Sequence, residues 1–184
     1  MIDLAIIGLV VVYAALGYWT GIIRRVIGFA ALYLGFLAAT ATAPTAATIV
    51  LSVFSSWAIP DALTLGYFIV VAIVLVLVEI LVTFWHNQLQ LAAILVDRGT
   101  GAVVGALTAL VGVTVVLLLL LGASQPVQGS PDGAQIQTHD AISKSVLGQS
   151  LVNSLGKVAK LIFLPVIPND PATYFNGQEA RIQH

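Results

Sequence analysis

The sequence predicts an all-α, polytopic membrane protein: four transmembrane helices arranged as two hairpins, followed by an amphipathic C-terminal helix. Of its 184 residues, 59% are hydrophobic and 8% are charged, whereas soluble domains carry about 25% charged residues. Its mean hydropathy is +1.04. A helix of ~20 apolar residues crosses a ~30 Å hydrocarbon core, and several segments are that long. This composition excludes a soluble enzyme and a disordered chain.

The first hairpin is predicted from two apolar runs that flank Arg24 and Arg25. Residues 4–23 contain no charge, and residues 26–59 contain none over 34 positions, which is too long for one span. We therefore place spans at residues 2–19 and 26–43. Because proline lacks the backbone N–H, we expect Pro44 to end the second span. Residues 45–57 then form a short interfacial or re-entrant piece or, alternatively, a fifth span.

The second hairpin is predicted at residues 62–85 and 99–123, with Arg98 in its connection. These four spans make up a transmembrane domain over residues 1–123. Arg24, Arg25 and Arg98 all lie in turns between spans, and the positive-inside rule places such turns in the cytoplasm. Both termini, and the tail over residues 124–184, are therefore expected to be extracytoplasmic.

The tail begins with a linker over residues 124–133 and contains an amphipathic helix over about residues 143–163. Its apolar positions recur at helical spacing, and Ser143 or Asp140 is the expected N-cap. The apolar face comprises Leu147, Leu151, Leu155, Val158 and Ile162, and the polar face comprises Ser150, Asn153, Lys157 and Lys160. Such a helix lies on the bilayer or packs on the bundle, or it docks a partner helix.

Few residues suggest a catalytic or ion-coupling role. Glu79 is the only acid in the interior of a predicted span, since Asp3 lies at the very start of the first span. Thr83 and His86 continue the polar stripe of Glu79 along the helix. An ionisable group at that depth normally faces the bundle interior and has a partner. Glu79 therefore either forms an ion pair with a turn arginine, or couples protons or ions, or is functionally silent.

The sequence does not predict an enzyme, a cofactor or a metal site. Cysteine is absent, no histidines have metal-ligand spacing, and no nucleophile motif accompanies the serines. The glycines near residue 100 lack the lysine of a phosphate-binding loop. A net charge of −1 also argues against nucleic acid as a partner.

The glycines predict packing faces, because small residues let membrane helices approach closely. In each predicted hairpin they recur four and then seven positions apart, which places them along one face of a helix. The first set is Gly17, Gly21, Gly28 and Gly35, and the second is Gly101, Gly105 and Gly112.

Two of these segments resemble motifs of the colicin V production protein family. Residues 17–28 (GYWTGIIRRVIG) are similar to its first-hairpin motif, in which Gly-x-x-x-Gly and basic residues join two spans. Asp97-Arg98-Gly99-Thr-Gly101, with Gly105, resembles the start of its last span. Met1-Ile-Asp3 fits its usual opening, and the resemblance extends over about residues 1–160.

The resemblance implies a bacterial inner-membrane protein associated with colicin V production or export and with envelope homeostasis, without a defined enzymatic activity. Similar four-span segments anchor an extracytoplasmic serine protease domain in some relatives. Members often have an acid just after the first-turn arginine, whereas here Arg25 and Val26 follow Arg24. We therefore hypothesise that Glu79 supplies the counter-charge.

Two function classes follow from the sequence. The first is a scaffold or accessory subunit in the lipid bilayer that associates with a second copy of itself or with an envelope or secretion protein. The glycine faces and the lack of catalytic residues favour this class. The alternative is a small oligomeric transporter or channel that uses Glu79 and the break at Pro44, because transporters use broken helices near buried charges.

Overall fold

The computed structural model describes residues 2–85, 94–126 and 133–176. Within these ranges all regular structure is helical, which confirms the all-α class. The helices are α1 (Ile2–Val53), α2 (Ile59–Trp85), α3 (Ile94–Ala123), α4 (Gly133–Ser143), α5 (Val146–Phe163) and α6 (Pro171–Phe175). The first three are long and apolar enough to cross a membrane.

Helix α1 consists of two arms that meet at Gly21. Gly21 has φ 78° and ψ 175°, a backbone conformation that is essentially restricted to glycine. In the first arm (residues 2–20), Tyr13 lies against Gly105 and Gly17 against Gly101, so this arm runs antiparallel to α3. In the second arm (residues 22–53), the contacts advance in the opposite direction, from Gly21 at Gly101 to Leu32 at Gly112. The chain therefore reverses its direction at Gly21. The number of membrane spans, four, remains a prediction.

Helix α2 runs antiparallel to the second arm, so the molecule has two distinct ends. Val71 packs over Gly35, and Glu79 further along α2 meets Arg24. We call the end with Gly21, Glu79 and the three arginines the basic end. The opposite end, where the N-terminus meets the tail helices, is the tail end.

Pro44 does not end the helix, in contrast to the prediction, and residues 45–53 continue α1 instead of forming a separate interfacial piece. Proline cannot donate to the carbonyl four residues earlier, which leaves the Thr40 carbonyl without its helical partner. The Tyr174 hydroxyl donates to that carbonyl at 2.9 Å. Around the proline, Ala43 and Ala47 are buried, so tertiary packing keeps this segment helical.

The tail packs on the bundle, which is one of the two arrangements considered for it. Helix α5 begins at Val146 with Ser145 as its N-cap, rather than Ser143 or Asp140, because Ser145 is held by Asp3 of the first arm. Helix α4, directly before it, was not predicted.

The face of α5 that contacts the bundle agrees only in part with the predicted apolar face. Leu147 and Leu151 are half-buried and pack on the bundle as predicted. The buried residues are Gly148, Gly156, Ala159 and Phe163, whereas Val158 and Ile162 are exposed. The two glycines allow α5 to lie across α3, where their nearest α3 neighbours are the side chains of Leu117 and Leu118. The small residues on this face therefore let α5 pack against leucine side chains of α3.

Aromatic side chains from α1, α2 and the tail form the main core. The Phe163 ring lies 5.5 Å from that of Phe36 and 5.9 Å from that of Phe29, both on the second arm. Phe175 of α6 packs edge-on against Tyr67 of α2 at 5.3 Å. Aromatic pairs at these separations add ~0.5–1.5 kcal/mol each beyond area burial, so the tail is an integral part of the fold.

Candidate functional site

The basic end contains an ion pair between Arg24 and Glu79, as hypothesised from the sequence. The Arg24 guanidinium donates to the Glu79 carboxylate and also to the Thr83 hydroxyl at 2.9 Å. Thr83 in turn donates to the Glu79 carbonyl at 2.7 Å. Glu79 and Thr83 thus act together as predicted, while His86, the third member of the stripe, lies outside the described residues.

Glu79 lies on the flank of the bundle rather than in its interior, in contrast to the expectation. Its side chain is 52% exposed, whereas that of Arg24 is 15% exposed. Buried Val71 marks the face of α2 that contacts α1. Eight residues turn a helix by about 80° beyond two full turns, which rotates Glu79 away from that face. The pair therefore ties α2 to the second arm from the side.

Arg25 forms no ion pair with Glu79 in the described structure and is buried between α3 and the first arm. It is 6% exposed, and its Nε donates to the Thr20 hydroxyl at 3.1 Å. The Thr20 hydroxyl donates onward to the Leu16 carbonyl at 2.6 Å. The Arg25 guanidinium carbon lies 5.9 Å from the Tyr13 ring centroid, within cation–π range. Adjacent residues on a helix point ~100° apart, so Arg24 and Arg25 serve different interfaces.

Arg98 lies near the start of α3 over the ring of Tyr18, with 6.0 Å between its guanidinium carbon and the ring centroid. It is exposed. Asp97 belongs to α3 by its backbone, but its side chain lies outside the described residues. The basic end therefore brings Arg24, Arg25 and Arg98 into one layer of the molecule, as the turn positions predicted.

The glycine faces form the crossing between α3 and both arms of α1. A Cβ at Gly17 would overlap the Gly101 carbonyl oxygen, and a Cβ at Gly105 would overlap the Tyr13 carbonyl oxygen. Gly101 also lies against Gly21, where the chain reverses. Gly28 does not belong to this crossing, because no atom lies within 4 Å of a Cβ added there. The prediction that Gly28 belongs to the packing face, which was based on its seven-residue spacing from Gly21, is therefore wrong.

Two cavities lie at the tail end, away from Glu79. One, of about 460 Å³, is lined mainly by apolar residues of α1, α3 and α4, including Ile6, Leu117 and Ile142. The other, of about 390 Å³, lies between Trp57, α2, α3 and α4. In the part of the chain that the structure describes, no cluster of three or more His, Cys, Asp or Glu could hold a metal ion.

Sequence reasoning missed a polar cluster that joins the tail to the bundle. The Thr40 hydroxyl donates to the Val166 carbonyl at 2.7 Å and lies 3.2 Å from the Tyr67 hydroxyl. Tyr174 donates to the Thr40 carbonyl. The signal in the sequence was Pro44, since a proline in a helix always leaves the fourth preceding carbonyl without its partner.

Aspartates accept hydrogen bonds at the starts of α5 and α6. Asp3 accepts from the Ser145 hydroxyl at 2.5 Å and from the Leu147 N–H at 3.0 Å, which joins the start of α1 to the start of α5. Asp170 accepts from the Thr173 hydroxyl and from the N–H groups of Ala172 and Thr173. These hydrogen bonds lower the pKa of Asp170, with that from the Thr173 hydroxyl contributing most. Both caps satisfy helix N–H groups that would otherwise lack partners.

The family model of the colicin V production protein matches residues 2–155. This range covers the reversal at Gly21, the glycine crossing, the arginine layer and most of α5. No curated protein and no solved structure shows significant similarity to the chain. Because the matched range spans more than half of the sequence, the chain belongs to the colicin V production protein family.

Proposed function

We propose that this protein is an accessory or scaffold subunit of the bacterial inner membrane that supports colicin V production or export and envelope homeostasis, and that it is not an enzyme. Family membership and three long apolar helices make it a membrane-associated protein of this family. Its proposed partners are the lipid bilayer and either a second copy or an envelope or secretion protein.

The observation that carries this proposal is the ion pair of Glu79. This acid, the one in the interior of a predicted span, is bonded to Arg24 and ties α2 to the second arm of α1. The glycine crossing leaves little space between backbones at this end, and the cavities described above, of about 460 and 390 Å³, lie at the other end. These features favour a packed bundle whose charges hold it together, rather than a hydrated path to a titrating carboxylate.

The Glu79→Gln variant is expected to retain function and to lose a little stability. Glutamine keeps an oxygen acceptor for Arg24 but removes the charge, and a partly exposed ion pair contributes ~0.2–1 kcal/mol. The variant and the native protein are expressed at matched membrane levels in cells that lack the chromosomal copy. Export of a colicin V-type toxin should then be the same with either protein. Loss of export at a normal level and normal thermal stability would contradict the scaffold proposal.

A charge exchange separates the ion pair from the rest of the arginine layer. Glu79→Arg should destabilise the protein, and adding Arg24→Glu should restore part of the loss. The matched control is Arg25→Glu, which should give no rescue, because Arg25 faces Tyr13 and Thr20 instead.

The second candidate function is a small oligomeric transporter or channel. It is favoured by the exposed flank position of the Glu79 carboxylate, which a neighbouring copy of α2 would enclose. Under this proposal Glu79→Gln abolishes export or ion flux without loss of stability. The Glu79→Gln measurement therefore decides between the two candidates.

We also propose that the tail end faces the periplasm and the basic end the cytoplasm. The chain lacks cysteine, so single cysteines report without background. Asn153 is exposed on α5, and a side chain at Gly99 meets no atom within 4 Å. In intact cells a membrane-impermeant thiol reagent should label Asn153→Cys but label Gly99→Cys only after lysis. The opposite labelling pattern would reverse the proposed orientation.

A further inference from the structure

The basic end carries more positive than negative charge. Its described side chains include three guanidinium groups, and the one carboxylate paired with them is Glu79. Arg25 has a single hydrogen bond, to the neutral Thr20 hydroxyl. Arg98 contacts the Tyr18 ring and makes no hydrogen bond or ion pair with the part of the chain that is described. Two of the three cations therefore form no direct ion pair with these side chains, and the single Glu79 carboxylate does not balance all three charges.

These cations adjoin an exposed aromatic surface at the end of the first arm. Tyr18 is 45% exposed and Trp19 is 73% exposed, and they come just before the reversal at Gly21. Tyr and Trp favour the headgroup level of a membrane. The Arg98 guanidinium lies over Tyr18 at that level. The surface thus combines an exposed cation with exposed aromatic rings, the side chains that suit contact with lipid headgroups.

Arg25, buried between α3 and the first arm, adds to the positive potential of this surface. It is almost fully buried and lies against the ring of Tyr13. Tyr13 precedes Tyr18 by five residues on the same arm. A charge removed from water is screened much less than an exposed one. An anion beside Arg98 therefore gains from both cations, although Arg98 is the one that is accessible.

We propose that Tyr18, Trp19 and Arg98 form a binding site for the phosphodiester of an anionic phospholipid, with Arg25 as a buried contributor to its affinity. The planar guanidinium matches phosphate oxygens with two parallel hydrogen bonds. Basic pockets between membrane helices bind anionic headgroups in this way. A lipid with net negative charge binds more tightly than a zwitterionic one, since the headgroup ammonium of the latter offsets the phosphate.

The test uses the purified full chain, delipidated in detergent, with phosphatidylglycerol and phosphatidylcholine of identical acyl chains. Native mass spectrometry should retain phosphatidylglycerol, and this lipid should raise the midpoint of thermal unfolding more than phosphatidylcholine does. Arg98→Gln should weaken phosphatidylglycerol binding about tenfold, as expected for loss of a charge-assisted contact. Arg98→Lys should recover part of the binding. The matched control is Lys160→Gln, which removes an exposed cation from the tail and should have no effect.

Three results would overturn the site. Equal binding of the two lipids would show that charge is not recognised. Unchanged phosphatidylglycerol binding in Arg98→Gln would remove Arg98 from the site. An equal stabilisation by inorganic phosphate alone would identify a soluble anion as the ligand instead of a lipid. Arg98 is exposed, so its variants are expected to fold, which size-exclusion chromatography in detergent checks. Lipid binding is measured independently of toxin export, so a negative result here would not contradict the proposed function.

Discussion

The Gly101→Ala variant is expected to lose about 3 kcal/mol or more of its free energy of unfolding, because overpacking at a rigid contact typically costs ~1–3 kcal/mol and occasionally more. The added Cβ would overlap the Gly17 carbonyl oxygen and lie 2.8 Å from the Gly21 carbonyl carbon. Both neighbours are backbone atoms, so the clash is relieved only by moving the first arm away from α3. Denaturant unfolding in detergent, followed by tryptophan fluorescence, measures the loss.

The matched control for this prediction is Gly28→Ala on the second arm. Gly28 is also a helical glycine of the first motif, but a Cβ there meets no atom within 4 Å. Alanine is favoured over glycine in a helix by ~1 kcal/mol, so Gly28→Ala should be neutral or stabilising. If the two variants were equally stable, the close approach at the glycine crossing would be refuted.

The second large effect is expected for Tyr174→Phe, which should destabilise the protein by ~1–3 kcal/mol, the cost of leaving a buried polar group unsatisfied. Its hydroxyl donates to the Thr40 carbonyl at 2.9 Å, and Pro44 cannot donate to this carbonyl. The loss should appear first as easier proteolysis of the tail, because the contact joins α6 to α1. Limited proteolysis and thermal unfolding measure it.

A double-mutant cycle with Pro44→Ala tests the mechanism. Alanine restores the N–H that the Thr40 carbonyl lacks, so Tyr174→Phe should cost less in the Pro44→Ala background than in the native one. The control is Tyr33→Phe, since Tyr33 packs its ring on Phe163 at 5.6 Å but has no hydroxyl hydrogen bond in the described structure. Equal costs of Tyr174→Phe in both backgrounds would refute the compensation between Tyr174 and Pro44.

The docked tail bears on how a partner could bind to α5. The face with Gly148 and Gly156 is already covered by α3, so it does not serve as a free docking face in this arrangement. Val158, Leu161 and Ile162 are exposed on the other side. Since α5 lies against α3, which is long and apolar enough to cross a membrane, contact of these side chains with the bilayer is consistent with the proposed membrane role.

The helical membrane class, the first reversal and the layer of three arginines could all be predicted from the sequence. Each follows from local properties: the length of an uncharged run, the residues that interrupt it, and the spacing of small residues along a helix. The ion pair of Glu79 was also foreseen, because a buried or interfacial charge needs a partner, but the sequence left its partner open between Arg24 and Arg25.

Other features could not be predicted, because they depend on contacts between residues far apart in the sequence. Helix α1 continues through Pro44 because Tyr174, 134 positions away from Thr40, supplies the missing donor. Helix α5 buries its glycines because it packs against leucine side chains of α3. Gly28 faces open space because none of the described helices crosses there. Periodicity along a chain ranks the faces of a helix by hydrophobicity, whereas the neighbours that each face meets are set by the packing of the whole bundle.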